Sequence, residues 1–144
     1  MSTQNATAVA ITGGVISSIR ETATVTATAP SATTNYDFAT QSVRVYTANN
    51  TTNFTLNIRG NSTTTLDSIM ANGQTATMIL MVANGSTPYF PSVLQIDGST
   101  VTPLIQNGIA ITSGNANSVD VYSIVILKTA TATFTTFVSQ TKFA

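Results

Sequence analysis

Cysteine, histidine and tryptophan are absent from this chain of 144 residues. Disulfides, thiolate nucleophiles, the common zinc ligand sets and imidazole acid–base catalysis are thereby excluded. Charge is scarce as well. Charged residues make up 7% of the chain, five Lys plus Arg against five Asp plus Glu, for a formal net charge of zero. Ordinary globular domains carry roughly a quarter. Binding nucleic acid needs a concentrated basic patch, and a polybasic membrane site needs clustered Lys and Arg. This inventory supplies neither. The longest apolar runs, residues 78–83 and 124–127, fall far short of the ~20 residues of a membrane helix. Neither nucleic acid nor membrane insertion is therefore expected. The opening stretch MSTQNATAVAITGG has no basic n-region and no long apolar h-region, so it does not read as a secretory signal. Synthesis in a cytoplasm is expected.

A surface so poor in charge has two readings. Hydroxyls and amides can solvate a free monomer. Alternatively the chain lives in a permanent assembly, since a net charge near zero favours association. The second reading is preferred.

Threonine dominates what is present, followed by Ala, Ser and Asn, whereas Glu occurs once and Lys twice. The residues that normally surface helices are missing, and Thr, Val, Ile, Phe and Tyr suit pleated, half-buried strands. Residues 1–33 hold no aromatic residue. There Val9 and Ile11 alternate, Gly13 and Gly14 turn the chain, and Val15 and Ile16 follow. Thr22, Thr24, Thr26 and Thr28 then alternate with small apolar residues. We read 1–33 as an N-terminal extended β arm used in assembly or docking; the alternative is a disordered Thr/Ala linker.

Residues 34–144 carry the signals of a compact domain. Phe54, Leu56 and Ile58 alternate cleanly, and residues 74–82 read as a strand with Met78, Leu80 and Val82 on one face. Leu66, Ile69 and Met70 have helical spacing, with Thr65 placed to cap, so one short helix is expected. Asn84-Gly85 is a hairpin signal, though Ser86-Thr87-Pro88 suggests a longer loop, and Asp97-Gly98 is the strongest two-residue hairpin signal in the chain. In the last thirty residues Val119 and Val121 alternate with Asp120 and Tyr122, which leaves Asp120 on the wet face of its strand. Residues 124–127 form an unbroken apolar block, which predicts cover on both faces. A second strand runs through Phe134, Phe137 and Val138 to Phe143. Seven or eight short strands at this spacing predict an all-β, jelly-roll-like β-sandwich.

The order of features from Tyr89-Phe90-Pro91 through Gln95-Ile96-Asp97-Gly98 and Val101-Thr102-Pro103 is distinctive. It continues with Gly114-Asn115-Ala116-Asn117-Ser118-Val119-Asp120-Val121-Tyr122 and ends in Ser139-Gln140-Thr141-Lys142-Phe143. This resembles the C-terminal domain of tail-fibre and virion structural proteins of tailed phages, cyanophages and other marine phages in particular. Residues 8–16 look like the turns that recur in fibre stalks. The resemblance implies a virion protein made in the host cytoplasm, a homotrimer, and other virion proteins of tail or capsid as partners. A short tail fibre or tail accessory that attaches without enzymatic action is the leading expectation. A capsid decoration or cement protein is the alternative, and a polysaccharide-degrading tail enzyme comes third. No cofactor is expected.

Asp97 and Asp120 are the carboxylates nearest the apolar strands. Two acids can do acid–base work or hold a metal, but no third ligand or base accompanies them. Asp97 is therefore read as a turn former with Gly98. Tyr89, Phe90 and Tyr122 are candidates for a glycan-binding surface on a tip domain. The competing reading for these aromatics is packing in the core or at an interface.

Overall fold

A computed structural model describes residues 20–144. Val9, Ile11, Gly13, Gly14, Val15 and Ile16, the residues expected to build the assembly arm, lie outside the described residues. The described residues form an all-β sandwich of two packed sheets with one short α-helix. A six-stranded sheet holds, in spatial order, β1 (Thr24–Thr26), β3 (Val43–Asn50), β5 (Thr75–Asn84), β9 (Ser118–Ala130), β10 (Thr133–Phe143) and β8 (Leu104–Ile105). A four-stranded sheet holds β2 (Thr33–Asp37), β4 (Phe54–Arg59), β6 (Pro91–Ile96) and β7 (Ser99–Val101). Thr24–Thr26, grouped by composition with the arm, is thus an edge strand of the larger sheet.

The first six strands alternate between the sheets. β1, β3 and β5 run parallel in the large sheet, and β2, β4 and β6 run parallel in the small one. Within the sandwich, this half of the chain is a flattened coil of three turns. Only from β6 onward do consecutive strands form hairpins: β6 pairs antiparallel with β7, and β9 with β10. The Asn84-Gly85 signal produces no hairpin. The Asn84 side chain is buried, its amide oxygen accepts from the Tyr89 N–H at 3.1 Å, and residues 85–90 carry the chain across to the other sheet.

Stacked coils line up inward-facing residues in rows. Tyr36, Ile58 and Ile96 are register neighbours in the small sheet, and Ala76 and Ile126 in the large one. All are buried. The Tyr36 hydroxyl crosses between the sheets and donates to the carbonyls of Ser42 (2.6 Å) and Ile79 (3.2 Å). Arg44 also crosses, donating to the Asn35 carbonyl at 2.8 Å while stacking 4.8 Å from the Tyr46 ring centroid.

One helical turn, α1 (Leu66–Ile69), ties three loops together. Thr65 caps it through the Ser68 N–H at 3.1 Å. The Asp97 carboxylate, from the β6–β7 turn, accepts from the N–H groups of Leu66 (2.7 Å) and Asp67 (3.0 Å). At the other end buried Lys128 of β9 donates to the Asp67 and Met70 carbonyls and pairs with the Asp67 carboxylate at 2.7 Å. Asp67 in turn accepts from Ala132 N–H at 2.6 Å, in the β9–β10 turn. A helix this short has no stability of its own. Side chains from strands distant in sequence hold its ends.

The inner row can be tested. Ile126 is fully buried, and Ile126→Ala is expected to lower the unfolding free energy by about 2–5 kcal/mol in urea denaturation. A loss below about 0.5 kcal/mol, the range of surface substitutions, would place Ile126 outside the core.

Candidate functional site: a buried carboxylate knot, an apolar cleft and an uncharged sheet face

Asp120 is not on the wet face of its strand. It is fully buried. The inward positions of β9 are Ser118, Asp120, Tyr122, Ile124, Ile126 and Lys128, while Val119, Val121, Val125 and Leu127 point outward. Reading Val119 and Val121 as the apolar face puts the strand one residue out of phase, and a shift of one residue exchanges the two faces. What fixes the phase is the set of donors that meets Asp120.

Five donors converge on that carboxylate. They are the side-chain amides of Asn84 (3.0 Å), Asn115 and Gln140 (3.2 Å), the Asn115 backbone N–H (2.9 Å) and the Tyr122 hydroxyl (3.4 Å). None is charged. Gln140 also donates to the Ser113 carbonyl and the Tyr122 oxygen, both at 3.1 Å. The loop before β9 is thereby fastened to the crossing after β5. Gly114 lies at the tightest point, where an added Cβ would fall inside contact distance of the Tyr89 carbonyl and 3.0 Å from an Asp120 oxygen. Burial raises the Tyr122 phenol far above its ordinary value, and the adjacent Asp120 charge adds to this. Burial likewise pushes Tyr36 well up, against the opposing pull of Arg44.

The three aromatic residues proposed for a glycan surface do not form one platform. Tyr122 is fully buried, which removes it from any exposed surface. Burying its ring and satisfying its hydroxyl on Asp120 and Gln140 are more favourable than exposing both. Tyr89 and Phe90 are half-buried on the crossing between β5 and β6, and Phe90 packs against the core. Asp97 and Gly98 join β6 to β7 as a two-residue turn, with φ values of 50° and 81°. The Asp97 carboxylate is taken up by α1, a role that no local pattern signals because its partners lie some thirty residues away.

Beside the knot, a cleft of about 360 Å³ opens between the sheets along the β7 and β8 side. Leu56, Leu94, Val101, Ile111, Ile124 and Val138 are among its walls, and no charged side chain lines it. It offers apolar contact and the hydroxyls of Ser92, Thr100 and Thr102, and Tyr122 is also part of its lining.

The outer faces of the two sheets differ. On the small sheet Asn35 and Asn57 bond side chain to side chain at 2.8 Å, and Asp37 pairs with Arg59 at 2.6 Å. On the large sheet the outward positions include Val45, Met81, Val121, Val125, Leu127 and Phe137, which are register neighbours or lie on adjacent strands. No charged residue occupies an outward position on any of its strands.

Comparison with family models, with curated proteins and with solved structures returns no match.

Two outcomes follow for the knot. Asp120→Asn aims an amide N–H at donors that need an acceptor, and Gly114→Ala forces the loop away from Tyr89. Each is expected to cost about 2–4 kcal/mol in urea denaturation, where an unchanged midpoint would contradict the arrangement. The raised phenols set a pH dependence. A group whose folded pKa lies above its unfolded value gives stability that is complete below the unfolded value and lost as pH rises beyond it. Tyr36 and Tyr122 start from 10.0, so the urea midpoint should hold up to that pH and fall above it. Their phenolate absorbance should appear together with unfolding. Phenolate signal from these two rings in a protein still folded at about pH 11 would count against their burial.

Proposed function

We propose that this chain is a virion structural protein of a tailed phage, a short tail fibre or tail accessory subunit that mediates attachment by non-enzymatic binding. The phage part of the reading rests on the resemblance of residues 89–103 and 114–143 to fibre tip domains. The structural part is carried by one observation: the use made of the acids. All five acidic residues accept hydrogen bonds from the chain itself. Glu21 holds Ser42, Asp37 holds Arg59, Asp67 and Asp97 tie α1 to two turns, and Asp120 centres the knot. Carboxylates occupied in this way brace the fold, and a polysaccharide hydrolase needs a pair free to face its substrate.

In this reading the subunit works as a homotrimer and meets other virion proteins of the tail. Tyr89 and Phe90, half-buried on an end loop, are the aromatic contacts still available to a host glycan. A second reading, a capsid decoration or cement protein, is favoured by the uncharged outer face of the large sheet, which suits permanent cover by a neighbouring subunit. Copy number separates the two. Quantitative mass spectrometry of purified virions should find tens of copies per particle for a fibre and hundreds for a decoration protein. Complete absence from virions would overturn both. If the end loop contacts a glycan, Tyr89→Ala should weaken adsorption to host cells without changing the urea midpoint.

A further inference from the structure

The centre of the large sheet's outer face, on β5 and β9, conflicts with the solvent it meets, although Thr and Ser surround it. Residues 124–127 of β9 and 78–83 of β5 are apolar at inward and outward positions alike. A sheet with one face in water normally alternates, apolar inside and polar outside, and an unbroken apolar run belongs to a strand covered on both faces. Among the described residues, the chain covers only one. Met78, Leu80, Val82, Ile124 and Ile126 are in its core, while Ile79, Met81, Val125 and Leu127 are not. General composition is not the cause, because the same chain gives the small sheet an outer face of Asn35, Asn57, Asp37 and Arg59.

We infer that this face is where a further copy of this chain packs, sheet face against sheet face. Three observations select a copy of itself over another occupant. The face bears no charge, so two copies of it meet without opposing like charges, and the whole chain has zero formal net charge to keep copies apart. Its extent is right. The four long strands β3, β5, β9 and β10 make a surface roughly 19 Å wide and roughly 35 Å long, about 650 Å² before β1 and β8 are added. A stable interface takes about 800 Å² from each partner. Finally, the edges of this sheet are strands of three and two residues, β1 and β8, too short to template strong edge-to-edge pairing. The broad face, with Met81, Val121 and Val125 at its centre and Phe137 toward the β8 side, is the surface left for association. This inference rests on the oligomeric part of the reading above and adds the surface that part lacks; in a trimer the three faces meet around the axis.

Sedimentation velocity at tens of micromolar tests it, with circular dichroism confirming the fold. The native chain should sediment as an oligomer. Val125→Lys and Met81→Lys should sediment as folded monomers, and Val93→Lys, on the outer face of the small sheet, should remain oligomeric. Because the chain has no cysteine, a single introduced thiol reports burial directly. Ser123→Cys, half-buried in the single chain, should react with a maleimide about tenfold slower at tens of micromolar than after dilution to the monomer, while exposed Ser92→Cys should label at the same rate at both concentrations. A monomeric native chain, an oligomer that survives Val125→Lys, or a Ser123→Cys labelling rate unchanged by dilution would each overturn the inference. Should the lysine variants fail to fold, the labelling rates decide. An oligomer that buries Ser123→Cys yet is absent from virions would sink the virion reading alone. Virions that contain the protein with that thiol freely reactive would sink this inference alone.

Discussion

The carboxylate of Asp120 is the constraint on which much of the structure depends. It is fully buried and lacks a cationic partner, so the several kcal/mol cost of taking an ion out of water is met by hydrogen bonds alone. Five neutral donors at about 1.5–3 kcal/mol each, the range for bonds to a charged group, are of the size required. Net stabilisation by such a centre is modest. Its specificity is high, because the donors come from three separate stretches: Asn84 at the end of β5, Asn115 in the loop before β9, and Gln140 on β10. Only one phase of β9 brings them together. That phase puts Tyr122, Ile124 and Ile126 in the core and turns Val121, Val125 and Leu127 outward.

The outward set is what the proposed packing between copies rests on. An ordinary solvated sheet would carry polar residues there, and the small sheet does. The large sheet instead presents an apolar centre at Ile79, Met81, Val121, Val125 and Leu127, interleaved with Thr and Ser and free of charge among the described residues. The acids, which in a chain this poor in charge would be the obvious source of chemistry, serve as braces: two on α1, one on the small sheet, one in the knot and one at Ser42.

Much of this was legible in the sequence. Glu, Lys and Arg, which normally surface helices, are rare, and alternation is clear in 54–58, so the all-β class followed from composition and period. Thr65, Leu66 and Asp67 marked the one short helix, and Asp97-Gly98 marked its turn by needing positive φ at both positions. The connections were less legible. Asn-Gly reads locally as a hairpin, yet Asn84 is drawn into a network whose centre lies 36 residues further on. A parallel coil leaves no local mark comparable to a tight turn, so the alternation of β1 to β6 between sheets was hidden. Tyr122 could be recognised as an aromatic on a strand, but the side it faces depended on Asp120.

By itself the sequence determined what the chain is able to be. It has no cysteine, histidine or cluster of charge, so its chemistry is narrow; it is rich in Thr and β-branched residues, so it forms strands. The block at 124–127 is apolar on both faces of its strand, a property of side-chain period that needs no coordinates. Tertiary structure alone decided which acids are buried, which aromatics are withdrawn and which apolar face stays open. The reason is physical. Period-2 alternation defines two faces for each strand but does not label them, and the labels are set when donors distant in sequence converge on one buried carboxylate.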